Sequence, residues 1–152
     1  MSTYTLERRQ WLPRDLDEVF AFFAAPENLQ LLTPPFLNFE ILTPSPIPMK
    51  EGTFIDYRIR LFGVPLRWRT RIAEYTPPSD FVDVQMSGPY RVWHHRHAFR
   101  RLNGGTEMTD TVTYALPFGI VGDIVHAVWT RRTVARIFDF RAQAVAKRFA
   151  KT

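Results

Sequence analysis

The sequence predicts an α+β fold in which one seven-stranded antiparallel sheet wraps around a long C-terminal helix. Apolar residues recur at steps of three and four from Val121 to Phe149, which is the period of a helix with one apolar face. The preceding chain instead alternates apolar with polar residues between Gly- and Pro-rich turns, as strands do. A helix of this length spans roughly 45 Å at ~1.5 Å per residue. A broad sheet is therefore the expected cover for its apolar face.

Composition restricts the class of protein. The 152 residues suit a single domain covering 1–152, and no apolar run approaches the ~20 residues of a membrane span. Charged residues interrupt the segment Met1–Leu12, which does not fit a signal peptide and predicts a cytoplasmic location. The absence of cysteine excludes disulfides and thiol catalysis. A net charge of +5 permits contact with anionic partners without identifying one.

The N-terminal part predicts one strand followed by two short helices. Tyr4–Leu12 is the first strand, and the acidic run Asp15–Glu18 marks the start of a helix, because the N-terminus of a helix favours negative charge. Pro26–Leu32 is the second short helix, with proline in its first turn. The alternating segment Phe36–Leu42 is predicted as strand two.

Five further strands follow, and the last two form a hairpin. If Asn103–Gly104 is a two-residue turn, Leu102 lies opposite Gly105 and His97 lies opposite Asp110. A four-residue loop would instead place His97 opposite Val112. The predicted strands are Thr53–Phe62, Leu66–Tyr75, Phe81–Met86, Val92–Leu102 and Thr106–Leu116.

This order of elements resembles the helix-grip fold of the SRPBCC superfamily, which includes START-like lipid carriers, plant pollen-allergen proteins and aromatic polyketide cyclases. Several segments are similar to a bacterial subgroup of ligand-binding SRPBCC-domain proteins, some described as cyclase/dehydrase-like or cell-division-inhibitor-like. The resemblance implies a ligand cavity between sheet and helix, and the subgroup offers no settled activity to carry over. The matching residues are Phe20–Phe23, Pro26, Asn28, Leu29, Thr33–Pro35, Phe81, Asp83, Gln85, Gly88–Tyr90, Trp93, His95, His97, Phe99, Gly105, Thr106, Met108, Asp110, Tyr114, Pro117–Gly119, Ile137, Phe138 and Arg141.

The densest polar cluster lies on the sixth strand. His95 and His97 share one strand face with Trp93, and Asp110 on the seventh strand faces the same side. A carboxylate beside an imidazole in an apolar cavity can fix strand register, orient a ligand or perform general acid–base chemistry. Zinc or iron is a further alternative, but the spacing places no third strong ligand, so no metal site is predicted.

Asp83 and Gln85 lie on the fifth strand, and Asp83 is predicted to point away from the cavity. Val82, Val84 and Met86 compete with them for the inward face of the fifth strand, and strand parity gives that face to the apolar residues unless a bulge shifts it. A structural role is expected for both polar side chains.

The sequence therefore predicts a binding protein for a hydrophobic or aromatic small molecule, with no cofactor. Its expected cavity lining is Tyr57, Trp68, Trp93, His95, His97, Asp110 and Tyr114. One alternative is a cyclase- or dehydratase-like enzyme that uses His97, Asp110 and Tyr114. A second is an interaction module acting through the basic face of Arg67, Arg69 and Arg71, although nucleic acid is not a favoured partner because no aromatic-rich RNA-binding signature is present.

Overall fold

A computed structural model describes residues 2–61 and 63–150 and confirms the predicted α+β architecture. One antiparallel sheet contains all seven strands in the order β1-β7-β6-β5-β4-β3-β2. The strands are β1 (Tyr4–Leu12), β2 (Glu40–Ile41), β3 (Phe54–Leu61), β4 (Val64–Thr76), β5 (Asp80–Ser87), β6 (Val92–Leu102) and β7 (Gly105–Ala115).

The helices also follow the predicted order. After β1 come α1 (Leu16–Phe23), a 3-10 turn (Pro26–Asn28) and α2 (Leu29–Leu32). The C-terminal helix consists of α3 (Gly119–Val125), a π-helical segment (His126–Thr130) and α4 (Arg131–Arg148). In the part of the chain that the structure describes, no helix has the length and apolar character needed to cross a membrane.

Two element predictions need correction. The predicted strand Phe36–Leu42 is mostly not a strand, because Pro35–Leu37 forms a 3-10 turn and Asn38 adopts a left-handed φ of 47°, which leaves only β2. The C-terminal segment is not α-helical throughout, because it contains the π-helical turn. Phe62, the last residue of the predicted third strand, lies outside the described residues.

The hairpin between β6 and β7 has the register expected of a two-residue turn. Leu102 pairs with Gly105, and His97 lies opposite Asp110. Asn103 and Gly104 have φ angles of 49° and 75°, the positive values that a type I′ turn requires and that Asn-Gly adopts at little cost. The turn therefore brings His97 and Asp110 into adjacent positions on the concave face of the sheet.

The predicted outward orientation of Asp83 is wrong. Phe81, two residues earlier, packs its ring 5.9 Å from that of Phe20 and stacks 4.1 Å from the ring of His97. Alternate residues of a strand share a face, so the burial of Phe81 carries Asp83 inward and leaves Met86 54% exposed. Gln85 holds the following corner instead, since its side chain bonds both the N–H and the carbonyl of Tyr90.

The core is densely packed at one end of the sheet. Aromatic rings of α1 meet β5, β6 and the end of α4 there, with centroid separations of 5.2–5.9 Å for Phe22–Phe149, Phe20–Phe99 and Phe20–Phe81. Such pairs contribute beyond their buried area. This end of the molecule is therefore closed, and open space between sheet and helix lies beyond it.

We expect Gly105→Ala to destabilise the protein. A Cβ at this position would lie 2.3 Å from the carbonyl oxygen of Leu12 and 2.7 Å from the Trp11 ring. Overpacking against backbone costs about 1–3 kcal/mol of unfolding free energy. Urea unfolding followed by circular dichroism measures the loss, and an unchanged midpoint would contradict the close approach of β1 to the hairpin.

Candidate functional site

A cavity of about 420 Å³ lies between the concave face of the sheet and the C-terminal helix. Its volume is within the range of small-molecule sites. Most of its wall is apolar and comes from α1, α2, β3, β4 and the C-terminal helix. The residues central to the site are Tyr57, Ile59, Trp68, Thr70, Asp83, Tyr90, Trp93, His95, His97, Thr133, Ile137, Phe138 and Arg141.

Aromatic rings form one wall of this cavity. The ring of Trp68 meets Trp93 edge-on at 5.2 Å and stacks on Tyr57 at 5.8 Å. The hydroxyl of Tyr57 lies 2.6 Å from that of Thr70, and burial raises the pKa of Tyr57, which keeps the phenol neutral. This wall therefore offers flat apolar surface to a bound molecule.

Charged and polar side chains form the opposite part of the cavity, at the point where β5 and β6 face α4. The Nε2–H of His97 donates to Asp83 Oδ2 at 2.6 Å, and the Nε2–H of His95 donates to Asp110 Oδ1 at 2.8 Å. The two imidazole rings stack with centroids 3.6 Å apart. We call Asp83, His95, His97, Asp110 and Arg141 the polar cluster.

Arg141 links this cluster to the helix. Its Nε donates to Asp110 Oδ2 at 3.3 Å, and its NH2 group donates to Asp110 Oδ1 at 3.3 Å and to His97 Nδ1 at 3.2 Å. The guanidinium also lies 5.1 Å from the centre of the Phe23 ring. Because Arg141 is only 7% exposed, its charge must be compensated inside the protein, and Asp110 does so.

The environment fixes the protonation of three cluster members. Burial lowers the pKa of His97 to about 4, against an ordinary 6.5, and the Arg141 charge acts in the same direction. Burial alone would raise the pKa of Asp110, but the Arg141 charge and the His95 hydrogen bond hold it below its usual value. The hydrogen bond from His97 likewise keeps the pKa of Asp83 low despite burial. At neutral pH, His97 is therefore neutral and both carboxylates are ionised.

The structure brings together most, but not all, of the residues expected to line the site. Tyr57, Trp68, Trp93, His95 and His97 line the cavity. Asp110 and Tyr114 were also predicted to line the cavity, but they are not among the described lining residues, for a different reason in each case. Both oxygens of Asp110 are occupied by His95 and Arg141, which stand between it and the cavity.

Tyr114 packs beside the cavity residue Trp93, with ring centroids 6.1 Å apart, but its hydroxyl points to other partners. Its hydroxyl lies 2.7 Å from His126 Nε2, and the His126 ring stacks on Tyr4 with centroids 3.4 Å apart. The Tyr4 hydroxyl donates to Asp123 at 2.8 Å. This contact fastens the π-helical segment to β1 and β7, so Tyr114 is not positioned to act together with His97.

One group of side chains has the composition of a metal site. Potential ligand atoms of Asp83, His95 and His97 all lie within 4.8 Å of one another. However, the Arg141 guanidinium donates to His97 Nδ1, the nitrogen that carries a proton when the other nitrogen of a neutral histidine ligates a metal. The side chain of Arg141 thus already supplies a cation to this cluster.

Sequence reasoning missed the inward position of Asp83. The available signal was Phe81, a large apolar residue with the same strand parity, which outweighs Val84 and Met86 in buried area. The contact of Arg141 with Asp110 across the cavity is not predictable from helical spacing, which does not distinguish Arg141 from the neighbouring arginines.

We expect Arg141 and Asp110 to be strongly coupled energetically. Arg141→Met leaves Asp110 buried without its partner and should lower the unfolding free energy by about 3–5 kcal/mol. In the double variant with Asp110→Asn, the loss should fall short of the sum of the single losses by about 1–3 kcal/mol. Urea unfolding of the four proteins measures this coupling. Additive losses would contradict the contact.

Stability should fall between pH 6.5 and 4 because of His97. The unfolded chain protonates this histidine near 6.5 and the folded protein only near 4, so stability present above 6.5 is lost as pH falls, by up to ~3 kcal/mol. The lowered pKa values of Asp83 and Asp110 act mainly below this window. His97→Gln, which retains a donor for Asp83 but does not titrate, should flatten the slope. Equal slopes in both proteins would contradict the assignment.

Comparison with known proteins agrees with this fold. Residues 12–141 match the family described as "Polyketide cyclase / dehydrase and lipid transport". No curated protein matches the sequence. Similar solved structures include protein CV1439 from Chromobacterium violaceum, with 13% identity, a TM-score of 0.73 and coverage of 98% of this chain and 99% of that one. Ginseng major latex-like protein 151 from Panax ginseng has 10% identity, a TM-score of 0.70 and the same coverage.

Protein Ms6760 from Mycobacterium smegmatis is also similar, at 17% identity and a TM-score of 0.68 over 93% of this chain and 87% of that one. At such identities the structural likeness shows the fold alone, whereas the family match extends over most of the sequence. The family match confirms the resemblance to the SRPBCC superfamily. The chain belongs to the polyketide cyclase/dehydrase and lipid transport family.

Proposed function

We propose that this protein binds a hydrophobic or aromatic small molecule that carries a hydrogen-bond-donating group, such as a hydroxyl, at one end. The observation that carries the proposal is the placement of an ionised carboxylate, Asp83, in the wall of a mostly apolar, aromatic-lined cavity. Family membership is consistent with an apolar ligand. The polar end of the ligand is argued from the side chains below.

Asp83 is the most accessible member of the polar cluster. Its side chain is 15% exposed, compared with 4% for His97 and 8% for Arg141. The hydrogen bond from His97 goes to Oδ2. The donors of Arg141 that contact the cluster point at Asp110 and His97, so the carboxylate of Asp83 is the group best placed to meet a ligand. The negative charge of Asp83 favours a hydroxyl group on the ligand and disfavours a carboxylate there.

The protonation states fit recognition better than catalysis. A general base works best with a pKa near the operating pH, but His97 and both carboxylates have lowered pKa values. Both ring nitrogens of His97 are engaged, one by Asp83 and the other by Arg141. The catalytic alternative with His97, Asp110 and Tyr114 is further weakened because Tyr114 contacts His126 instead.

The basic-face alternative has less support. Arg69 forms a two-point ion pair with Asp56 at 2.9 and 3.1 Å, which offsets part of the charge of the face formed by Arg67, Arg69 and Arg71. An interaction module acting through this face stays an alternative, and nucleic acid is not its favoured partner.

Three related probes test the proposal: 1-naphthol, naphthalene and 1-naphthoate. We expect 1-naphthol to bind at least ~10-fold more tightly than naphthalene, because a hydrogen bond to a charged group contributes about 1.5–3 kcal/mol. 1-Naphthoate should bind most weakly because its charge repels Asp83. Quenching of tryptophan fluorescence reports binding, since Trp68, Trp93 and Trp129 line the cavity.

Two variants make this test specific. Asp83→Asn should remove most of the preference for 1-naphthol over naphthalene. Ile137→Trp, which fills the cavity from the helix, should abolish binding of both probes, whereas Gln143→Trp on the exposed side of the same helix should not. Equal affinity for all three probes, or binding that survives Ile137→Trp, would overturn the proposal. Turnover of a bound hydroxyl compound that is lost in His97→Gln would favour the enzyme instead.

A further inference from the structure

An unusually apolar surface surrounds the start of the C-terminal helix. Phe118 is 80% exposed, Ile120 79% and Val128 70%. Contiguous apolar patches of this kind mark interaction sites more often than scattered single residues do. We call this surface the apolar rim, and it consists of Phe118, Ile120, Val121, Ile124, Val125, Val128 and Trp129.

The apolar rim is continuous with the cavity. Phe118, Val121, Val125 and Trp129 belong to both, since each is at least 37% exposed and each also lines the cavity. Ile124 and Val128 belong to the rim but are not among the described lining residues. An apolar molecule could therefore pass from a partner seated on the rim into the cavity without crossing polar surface.

Positive charge borders the rim. Arg131 and Arg132 begin two residues after the end of the rim and are exposed. Arg136 lies one turn further along, with its guanidinium 4.9 Å from the ring of Phe36. Asp123 is the one acidic residue between Gly119 and Arg136, and its carboxylate accepts hydrogen bonds from Tyr4 and Ser2. The net charge of the whole chain is +5.

We propose that the apolar rim docks on the surface of a membrane that contains anionic lipid. An apolar helical surface with bordering arginines is the pattern of a segment that lies in the bilayer interface, with apolar side chains among the acyl chains and cations at the headgroups. A second copy of this chain fits less well. A two-fold contact through the rim would bring together two chains that each carry a net charge of +5.

Docking in this orientation places the cavity mouth against the bilayer. A hydrophobic ligand could then exchange between membrane and cavity without crossing water. This exchange step rests on the proposed function, whereas the docking itself does not require the cavity to bind anything.

Flotation with vesicles tests the docking. The wild-type protein should float with vesicles of 70% phosphatidylcholine and 30% phosphatidylglycerol, and much less with phosphatidylcholine alone. Ile124→Asp/Val128→Asp should lower the partition coefficient at least ~10-fold, because two exposed apolar side chains leave the acyl region. Phe54→Asp, at a 48% exposed phenylalanine on the sheet, is the matched control and should bind like the wild type.

Substitution of an arginine tests the electrostatic part of the docking separately. Arg132→Gln should weaken binding to the anionic vesicles by about 5-fold, and raised salt should do the same for the wild type. Since Ile124 and Val128 do not line the cavity, their variants should keep the wild-type affinity for 1-naphthol, which separates failure of docking from failure of ligand binding.

Three outcomes would overturn the proposal. The first is absence of wild-type binding to anionic vesicles. The second is binding that the Ile124→Asp/Val128→Asp variant retains in full. The third is a wild-type dimer in sedimentation velocity that this variant dissociates, because the rim would then be a contact between copies.

Discussion

The buried guanidinium of Arg141 is the group on which the arrangement of the cavity depends. A positive charge at 7% exposure is stable only with close negative partners, and Asp110 on β7 provides both of its carboxylate oxygens. This ion pair joins helix to sheet. It also determines the state of its neighbours, since the guanidinium donates to His97 Nδ1 and thereby leaves the Nε2–H of His97 to donate to Asp83.

The chain uses different packing at the two ends of the sheet. Near α1, phenylalanine rings fill the space between β5, β6 and the end of α4. Farther along, the side chains of Trp68, Trp93 and Phe138 line space rather than fill it. The closed end holds the helix in place, while the polar cluster prevents the middle of the cavity from being purely apolar. Beyond it, the mouth opens among exposed apolar residues of the C-terminal helix.

Local patterns were sufficient to predict much of the fold. β1 and β6 have the predicted bounds, and the Asn103–Gly104 turn determined the register that sets His97 opposite Asp110. Cross-strand neighbours are not always hydrogen-bond partners, however. His97 bonds Asp83 on the strand to its other side, and Asp110 bonds His95, because side chains of a curved sheet can lean diagonally. Which neighbour is chosen depends on the position of Arg141, which comes from another element.

The remaining differences have similar tertiary causes. Alternation could not orient β5, since both of its faces carry apolar residues and only the packing of Phe81 against α1 decides between them. The spacing of apolar residues likewise does not predict the π-helical turn. There, His126 is buried against Tyr4 and Tyr114 while Trp129, three residues later, lines the cavity. Sequence patterns therefore predicted least well the residues whose orientation depends on contacts with several helices and strands.

A crystal structure of the complex with 1-naphthol would test the central claim most directly. We expect the naphthalene ring to lie among Trp68, Trp93 and Phe138, with its hydroxyl within hydrogen-bond distance of the Asp83 carboxylate and the contact between Arg141 and Asp110 intact. A ligand found outside the cavity, or inside it with the hydroxyl turned away from Asp83, would contradict the account.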